Sequence, residues 1–303
     1  MGTVGGFMME KEDMRAKEME ELRQLQKKSL EILLVFKEFC DRHHLLFYFC
    51  GGCCIGTLRH KGFIPWDDDI DVFMPRKDYE RLRKLWRQEM DPKKYAYCRS
   101  NKKRFYRSLL TAISDEQTTF IKERQKDLNI QHGVRLEILP LDGCPDSRFK
   151  RKLQIIWALI YQIYMNQEAP TSKGKALEMV GRIMLAVCPG WKRRYKVARF
   201  AEKQMSKYPI EQCSKITELC ARYQYMVNEY PKEAFDHAVY KEFEGHMMPI
   251  PAGYDTYLHM AFGDYMQMPP ESEQMPKHEA VFVDLEHGYR RYKGKYYCRK
   301  DEA

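Results

Sequence analysis

The sequence predicts an α+β protein in which a mixed sheet core carries a helical addition. Three observations point there. Up to about residue 145, short apolar runs broken by Gly and Pro alternate with helical patterns. From Asp146 to about Tyr230 the pattern is helical throughout, rich in Tyr, Met, Lys and Arg. Over 303 positions, 44% hydrophobic and 31% charged residues make a globular chain that can bury a large core. The simplest arrangement is a single unit over 1–303. Residues 8–145 form the core with its leading helix, 146–230 the helical addition, and 231–303 a loop-rich segment that completes the site.

Residues 8–42 read as one helix, charged at first and amphipathic from Leu22. Leu22, Leu25, Leu30, Leu33, Leu34 and Phe36 supply its apolar stripe. Leu45–Cys50 is a short apolar run ending at Gly51-Gly52, hence a buried strand. Cys53–Arg59 fits a short helix opened by that turn, and Gly62 and Pro65 fix the loop after it. Asp69–Met74 reads as a second strand, and Pro75 then opens a helix over Arg76–Glu89. Tyr95–Arg99, Phe105–Ile113 and Arg135–Leu139 are further strands. Pro170, Pro189-Gly190 and Pro209 divide the helical stretch into three or four helices. In 231–290, Pro249, Pro251, Pro269, Pro270 and Pro276 predict loops, with a short helix near Tyr254–Phe262.

Composition excludes several classes. The excess of 52 Lys and Arg over 43 Asp and Glu suits an anionic partner. Read as spread along the chain, with no helix-turn-helix or zinc-finger pattern, it does not predict nucleic-acid binding. Gln154, Gln162, Glu178 and Arg182 interrupt the longest apolar stretches, which fall short of the roughly 18 residues of a membrane span. The N-terminus lacks the pattern of a signal peptide. A soluble cytoplasmic chain is expected. Its basic tail, Arg290 to Lys295, leaves room for contact with an anionic glycan or the inner face of a membrane. Ten cysteines are too dilute for a disulfide scaffold, and Cys50, Cys53 and Cys54 read as small buried residues.

The most informative segment runs from Cys50 to Asp71. Four carboxylates fall within its last five positions. On a strand, Asp69 and Asp71 share one face, and two aligned carboxylates repel unless a cation lies between them. Mg²⁺ or Mn²⁺ favours carboxylate oxygens together with substrate phosphates, so Asp69 and Asp71 are the expected metal ligands. Gly51 and Gly52 at a helix start can offer backbone N–H groups to an anion. Arg59, His60 and Lys61 are potential phosphate cations, or charges that compensate a helix end. Glu137, flanked by Leu136 and Ile138, supplies a third carboxylate. Gly-Gly, then Asp-x-Asp, then an apolar-flanked acid on a later strand is the signature of a nucleotidyltransferase-like core.

The run Gly56 to Asp71, followed by Met74-Pro75-Arg76-Lys77-Asp78-Tyr79-Glu80, closely resembles the LicD family. Fukutin and fukutin-related protein belong to the same wider group. The likeness extends over most of the chain. It takes in Gln24-Leu25-Gln26, Leu139-Pro140-Leu141-Asp142-Gly143, Phe243-Glu244-Gly245, Phe262-Gly263-Asp264-Tyr265-Met266 and His278. The resemblance implies transfer of a phospho-alcohol, such as phosphocholine, from a CDP-linked donor to a glycan hydroxyl. It alone brings Asp264, Tyr265 and His278 into the substrate-binding set. There are two departures. The family usually has Asp where this chain has Glu137, and Cys53 stands where a hydroxyl usually follows the glycines. Asp69, Asp71 and Glu137 are thus the expected catalytic residues, with Glu137 as a metal ligand or as the base. Two rivals keep the fold: a nucleotidyltransferase that releases pyrophosphate, and an inactive glycan-binding scaffold.

Overall fold

The computed structural model describes residues 4–169, 175–275 and 280–299. Helix α1 (Val4–Arg42) buries Leu22, Leu25, Leu33 and Phe36 of the expected stripe and adds Ile32 and Phe39, while Leu30 and Leu34 are only half-buried. β1 (Tyr48–Phe49) runs antiparallel to β2 (Ile70–Pro75). Between them lies α2 (Gly51–His60), which the chain enters through Gly51 at φ +49°. After α3 (Arg76–Glu89) come β3 (Tyr95–Cys98), β4 (Thr111–Asp115), β5 (Thr119–Lys122) and the long β6 (Arg135–Cys144).

The main sheet has the order β1-β2-β6-β4-β3. Only β2 and β6 are parallel, so the sheet is mixed. Their register sets Asp71 directly beside Glu137. The first half of β6 pairs with β4 and its second half with β7 (Lys215–Thr217), which in turn pairs with β8 (Tyr230–Pro231).

Three helices make the helical addition: α4 (Arg148–Asn166), α5 (Lys175–Val187) and α6 (Trp191–Met205). Pro189-Gly190 parts α5 from α6, as expected, while Pro170 lies outside the described residues. The helical pattern does not continue to Tyr230. β7 and β8, with the one-turn α7 (Tyr223–Met226) between them, return the chain to the core sheet. Strand Phe105–Ile113 also needs correction, since only residues from Thr111 onward pair. The C-terminal segment holds more structure than its prolines suggest. β9 (Ala238–Phe243) and β10 (His246–Pro251) form a hairpin, α8 spans Tyr254–Phe262, and β11 (Ala280–Asp284) pairs with β5.

The positive charge is not spread along the chain. Residues 148–207 carry 14 Lys and Arg against three Asp and Glu, which leaves the remainder of the protein at −2. Among the described residues no helix is long and apolar enough to cross a membrane.

Two units with separate cores result. The sheet, α1, α2, α3 and α8 share one. Ala158, Tyr161, Ala198, Ala201 and Met205 centre the other. A buried ionic cluster joins them. Arg76 of α3 donates to Asp142 of β6 through Nε (2.8 Å) and Nη2 (2.6 Å), and to Glu202 of α6 at 3.1 Å. Arg99 and Arg199 also donate to Glu202.

Candidate active site

The acidic loop is held from three sides. Gln26, buried on α1, donates through Nε2 to the carbonyls of Ile64 (3.2 Å) and Asp67 (2.8 Å). Glu244, at the β9–β10 turn, accepts the Phe63 N–H (3.1 Å) and pairs with Arg23. The Cys53 thiol lies beneath the loop, with Sγ 3.7 Å from the Asp69 carbonyl and accepting the Asp71 N–H at 3.4 Å. The cysteine in place of a hydroxyl is therefore a backbone anchor for the two aspartates. Burial pushes the Cys50, Cys53 and Cys54 thiols well up, and all ten cysteines are free. Gly52 is required for space, because a Cβ there would lie 2.1 Å from Asp67 Oδ2.

The carboxylates stand between two cavities. The smaller, of about 450 Å³, is lined by Asp67, Asp68, Asp69, Lys122, Arg135 and Glu137. The larger, of about 720 Å³, is bounded on one side by Gly51, Gly52, Asp67, Asp71, Lys122 and Glu137. Asp67, Lys122 and Glu137 face both.

The electrostatics are dominated by like charges held close together. Burial, followed by the Asp68 charge, raises Asp67 to about 6. Burial and then Glu137 raise Asp71 to about 8. Asp69 reaches solvent at the cleft mouth, yet the protein around it strips away water. With Asp71 and Asp67 beside it, its carboxyl also lies well above the ordinary range. Asp71 Oδ1 is buried with no hydrogen-bond partner among the described residues. Glu137 behaves differently. Burial acts to raise it, but Lys122, 3.0 Å away, and Arg135 outweigh that and leave it lowered.

Asp69 and Asp71 are not equivalent strand positions. Asp69 precedes β2, and the carboxylates that gather within 4.8 Å are Asp67, Asp68 and Asp69, not Asp69, Asp71 and Glu137. Gly51 and Gly52 line the larger cavity, although the Gly51 N–H expected to meet an anion is donated to the Tyr257 hydroxyl at 3.0 Å. Arg59, His60 and Lys61 line neither. Arg59 instead donates to the Tyr265 (3.0 Å) and Gln267 (3.1 Å) carbonyls, which ties α2 to the C-terminal loop. His60 meets the Trp66 ring, and Lys61 points to Glu242. Tyr265 is buried and donates to Asp255 at 2.8 Å, whereas Asp264 is exposed on that loop. His278 lies outside the described residues. Sequence reasoning missed Asp67 and Lys122. The second ends the apolar run Thr119-Phe120-Ile121, a weak signal by itself.

Comparison with known proteins gives the site its context. Residues 44–128 match the family described as LicD/FKTN/FKRP, nucleotidyltransferase domain. The chain is 33% identical over 264 residues to the lipopolysaccharide cholinephosphotransferase LicD of Haemophilus influenzae, covering 85% of this chain and 96% of that protein. The protein is thus an enzyme, a transferase of phosphorus-containing groups. More narrowly, it belongs to the LicD family.

Proposed function

We propose that the chain moves phosphocholine from a CDP-activated donor to a hydroxyl of a lipid-linked cell-surface glycan, on a nucleotidyltransferase-like core. The observation that carries this reading is the lining of one cavity by Asp67, Asp71 and Glu137 beside the Gly51-Gly52 helix start, with Asp69 on the adjoining cavity and Asp71 Oδ1 unpartnered. Crowded like charges call for a cation, and an all-oxygen set fits Mg²⁺ or Mn²⁺. Asp69 and Asp71, with Glu137 or Asp67, would hold it. When bound, such an ion neutralises the donor pyrophosphate and the charge developing on the leaving oxygen.

The chain's own groups do the rest. Glu137, kept ionised by Lys122, takes the proton of the acceptor hydroxyl. The acceptor oxygen bonds to the phosphorus distal to cytidine as the bond to CMP breaks. Arg107, Arg124 and Arg222 line the same cavity and supply cations for phosphate oxygens. Arg222 has no ion pair among the described residues.

A lipid-linked acceptor also suits the helical addition. Its concentrated positive charge accompanies exposed apolar side chains, with Phe149 70%, Val187 74% and Phe200 53% accessible. Basic and apolar groups together favour an anionic membrane surface.

The test is to incubate protein, Mg²⁺, CDP-choline and lipopolysaccharide, and to identify the small product. CMP is expected. Phosphocholine, left behind by attack at the phosphorus next to cytidine, would instead establish nucleotidyl transfer. Neither turnover nor metal-coupled donor binding would mark a scaffold and overturn the reading.

A further inference from the structure

The larger cavity continues away from the carboxylates into a wall of different chemistry. Tyr225, Tyr257 and Phe262 line it, and so does Glu218. The rings are set in relation to one another. Tyr225 and Phe262 have centroids 5.4 Å apart, Tyr257 and Phe262 meet edge-on at 6.4 Å, and Tyr257 meets Tyr230 edge-on at 5.3 Å. The Gly51 N–H donates to the Tyr257 hydroxyl at 3.0 Å, which fixes that ring beside the helix start. Phe262 Cζ lies 4.0 Å from where a Gly51 side chain would begin. The aromatic wall therefore begins where the proposed phosphate site ends.

Glu218 is the unusual member. Three other glutamates with little solvent contact each face a cation: Glu116 faces Arg290, Glu137 faces Lys122, and Glu202 faces Arg76 and Arg99. Glu218, 5% exposed, accepts a hydrogen bond from the Tyr230 hydroxyl and has no ion pair among the described residues. Burial raises its carboxyl to about 7. A buried carboxylate without a counter-ion is costly, and a cationic ligand would remove that cost.

We infer that Glu218, Tyr225 and Phe262 form the subsite for the trimethylammonium group of the donor's choline. This inference rests on the proposed donor reading. A quaternary ammonium ion cannot donate hydrogen bonds, so it is recognised by ring faces and a nearby anion. A polyol such as glycerol or ribitol carries no charge and gains no cation–π attraction from those ring faces. The wall thus selects the alcohol, while the carboxylates and arginines handle the diphosphate common to all CDP donors.

Calorimetry with Mg²⁺ and three probes, CDP-choline, CDP-glycerol and CDP, tests this. Wild type should prefer CDP-choline to CDP-glycerol by on the order of tenfold. Glu218→Gln, which can keep the Tyr230 bond, and Phe262→Leu should each remove most of that preference while CDP affinity stays as in wild type. The inference fails if both variants retain the preference, or if wild type shows none although CDP binds. If CDP does not bind at all, the donor reading itself falls and this subsite falls with it.

Discussion

The sheet core and the helical addition bury ionic groups for opposite reasons. In the core cleft, Asp67, Asp69 and Asp71 crowd together, their carboxyls lie above the ordinary range, and Asp71 Oδ1 is left without a partner. Where the core meets the helices, Glu202 is satisfied by Arg76, Arg99 and Arg199 and its carboxyl is lowered. The outer surfaces differ as well. The helical addition carries the whole positive excess of the chain, and the rest of the protein is close to neutral. One region holds charge in an unfavourable state that a ligand can relieve, and the other uses charge to lock and to dock.

Five expectations put that contrast at risk. The largest concerns the joint. Glu202→Ala removes the buried carboxylate that three arginines share, leaving Arg76 with Asp142 and Arg99 with Glu80 alone, and should cost about 3–5 kcal/mol of stability by denaturant unfolding. A loss below about 1 kcal/mol would mean that the two units are not joined there. The pH dependence has a definite sign. Burial acts to raise Glu202, but Arg99, Arg76 and Arg199 lower it further, so its folded pKa is depressed. Its contribution is present above the ordinary carboxylate range and drains away as pH falls through the lowered value. Glu202→Gln should lack that acid-side loss.

Next is the cleft. Asp71→Asn preserves shape and removes a charge, so turnover should fall roughly a hundredfold or more while the fold persists. Near-normal turnover in a folded variant would sink the assignment of Asp71. Metal removal should act through the same groups, since two carboxylates and a diphosphate repel until a cation bridges them. Donor affinity measured in EDTA should be weak, and tight binding there would dismiss the metal.

The smallest effect belongs to the outer face. Lys152→Ser with Lys196→Ser removes two exposed cations, one on α4 and one on α6. Near an anionic bilayer each is worth about 1 kcal/mol, so affinity for phosphatidylglycerol vesicles should drop roughly thirtyfold. Turnover on a soluble acceptor should not change, whereas Asp71→Asn should leave vesicle binding intact. If both variants altered both readouts, the division of labour would be wrong.

Much of the core was legible because its signals are local. The α1 stripe, the Gly51-Gly52 turn and the acidic loop each follow from residue type and spacing, and the β2–β6 register then brings Asp71 beside Glu137. The parts that were not legible depend on tertiary contact. β7 and β8 have three and two residues, too few to show a period, and exist because β6 is long enough to receive them. Arg59 looked like a phosphate cation because its sequence neighbours are cations, but the fold turns it toward two carbonyls of a distant loop. Lys122 and Glu218 belong to no motif, and their meaning appears only once partners from elsewhere in the chain surround them.

β6 carries both Glu137 and Asp142, five positions apart on an unbroken strand. An odd separation puts their side chains on opposite faces of the sheet. One face serves the cleft and the other receives Arg76. The distance between them is therefore fixed in parity as well as in length. A single residue inserted between Leu139 and Asp142 would turn the second acid toward the first, leave Arg76 without its closest partner, and uncouple the helices from the sheet. A two-residue insertion would restore the facing but lengthen the spacing by about 7 Å. No small change in the length of this segment preserves both contacts, whereas a substitution can.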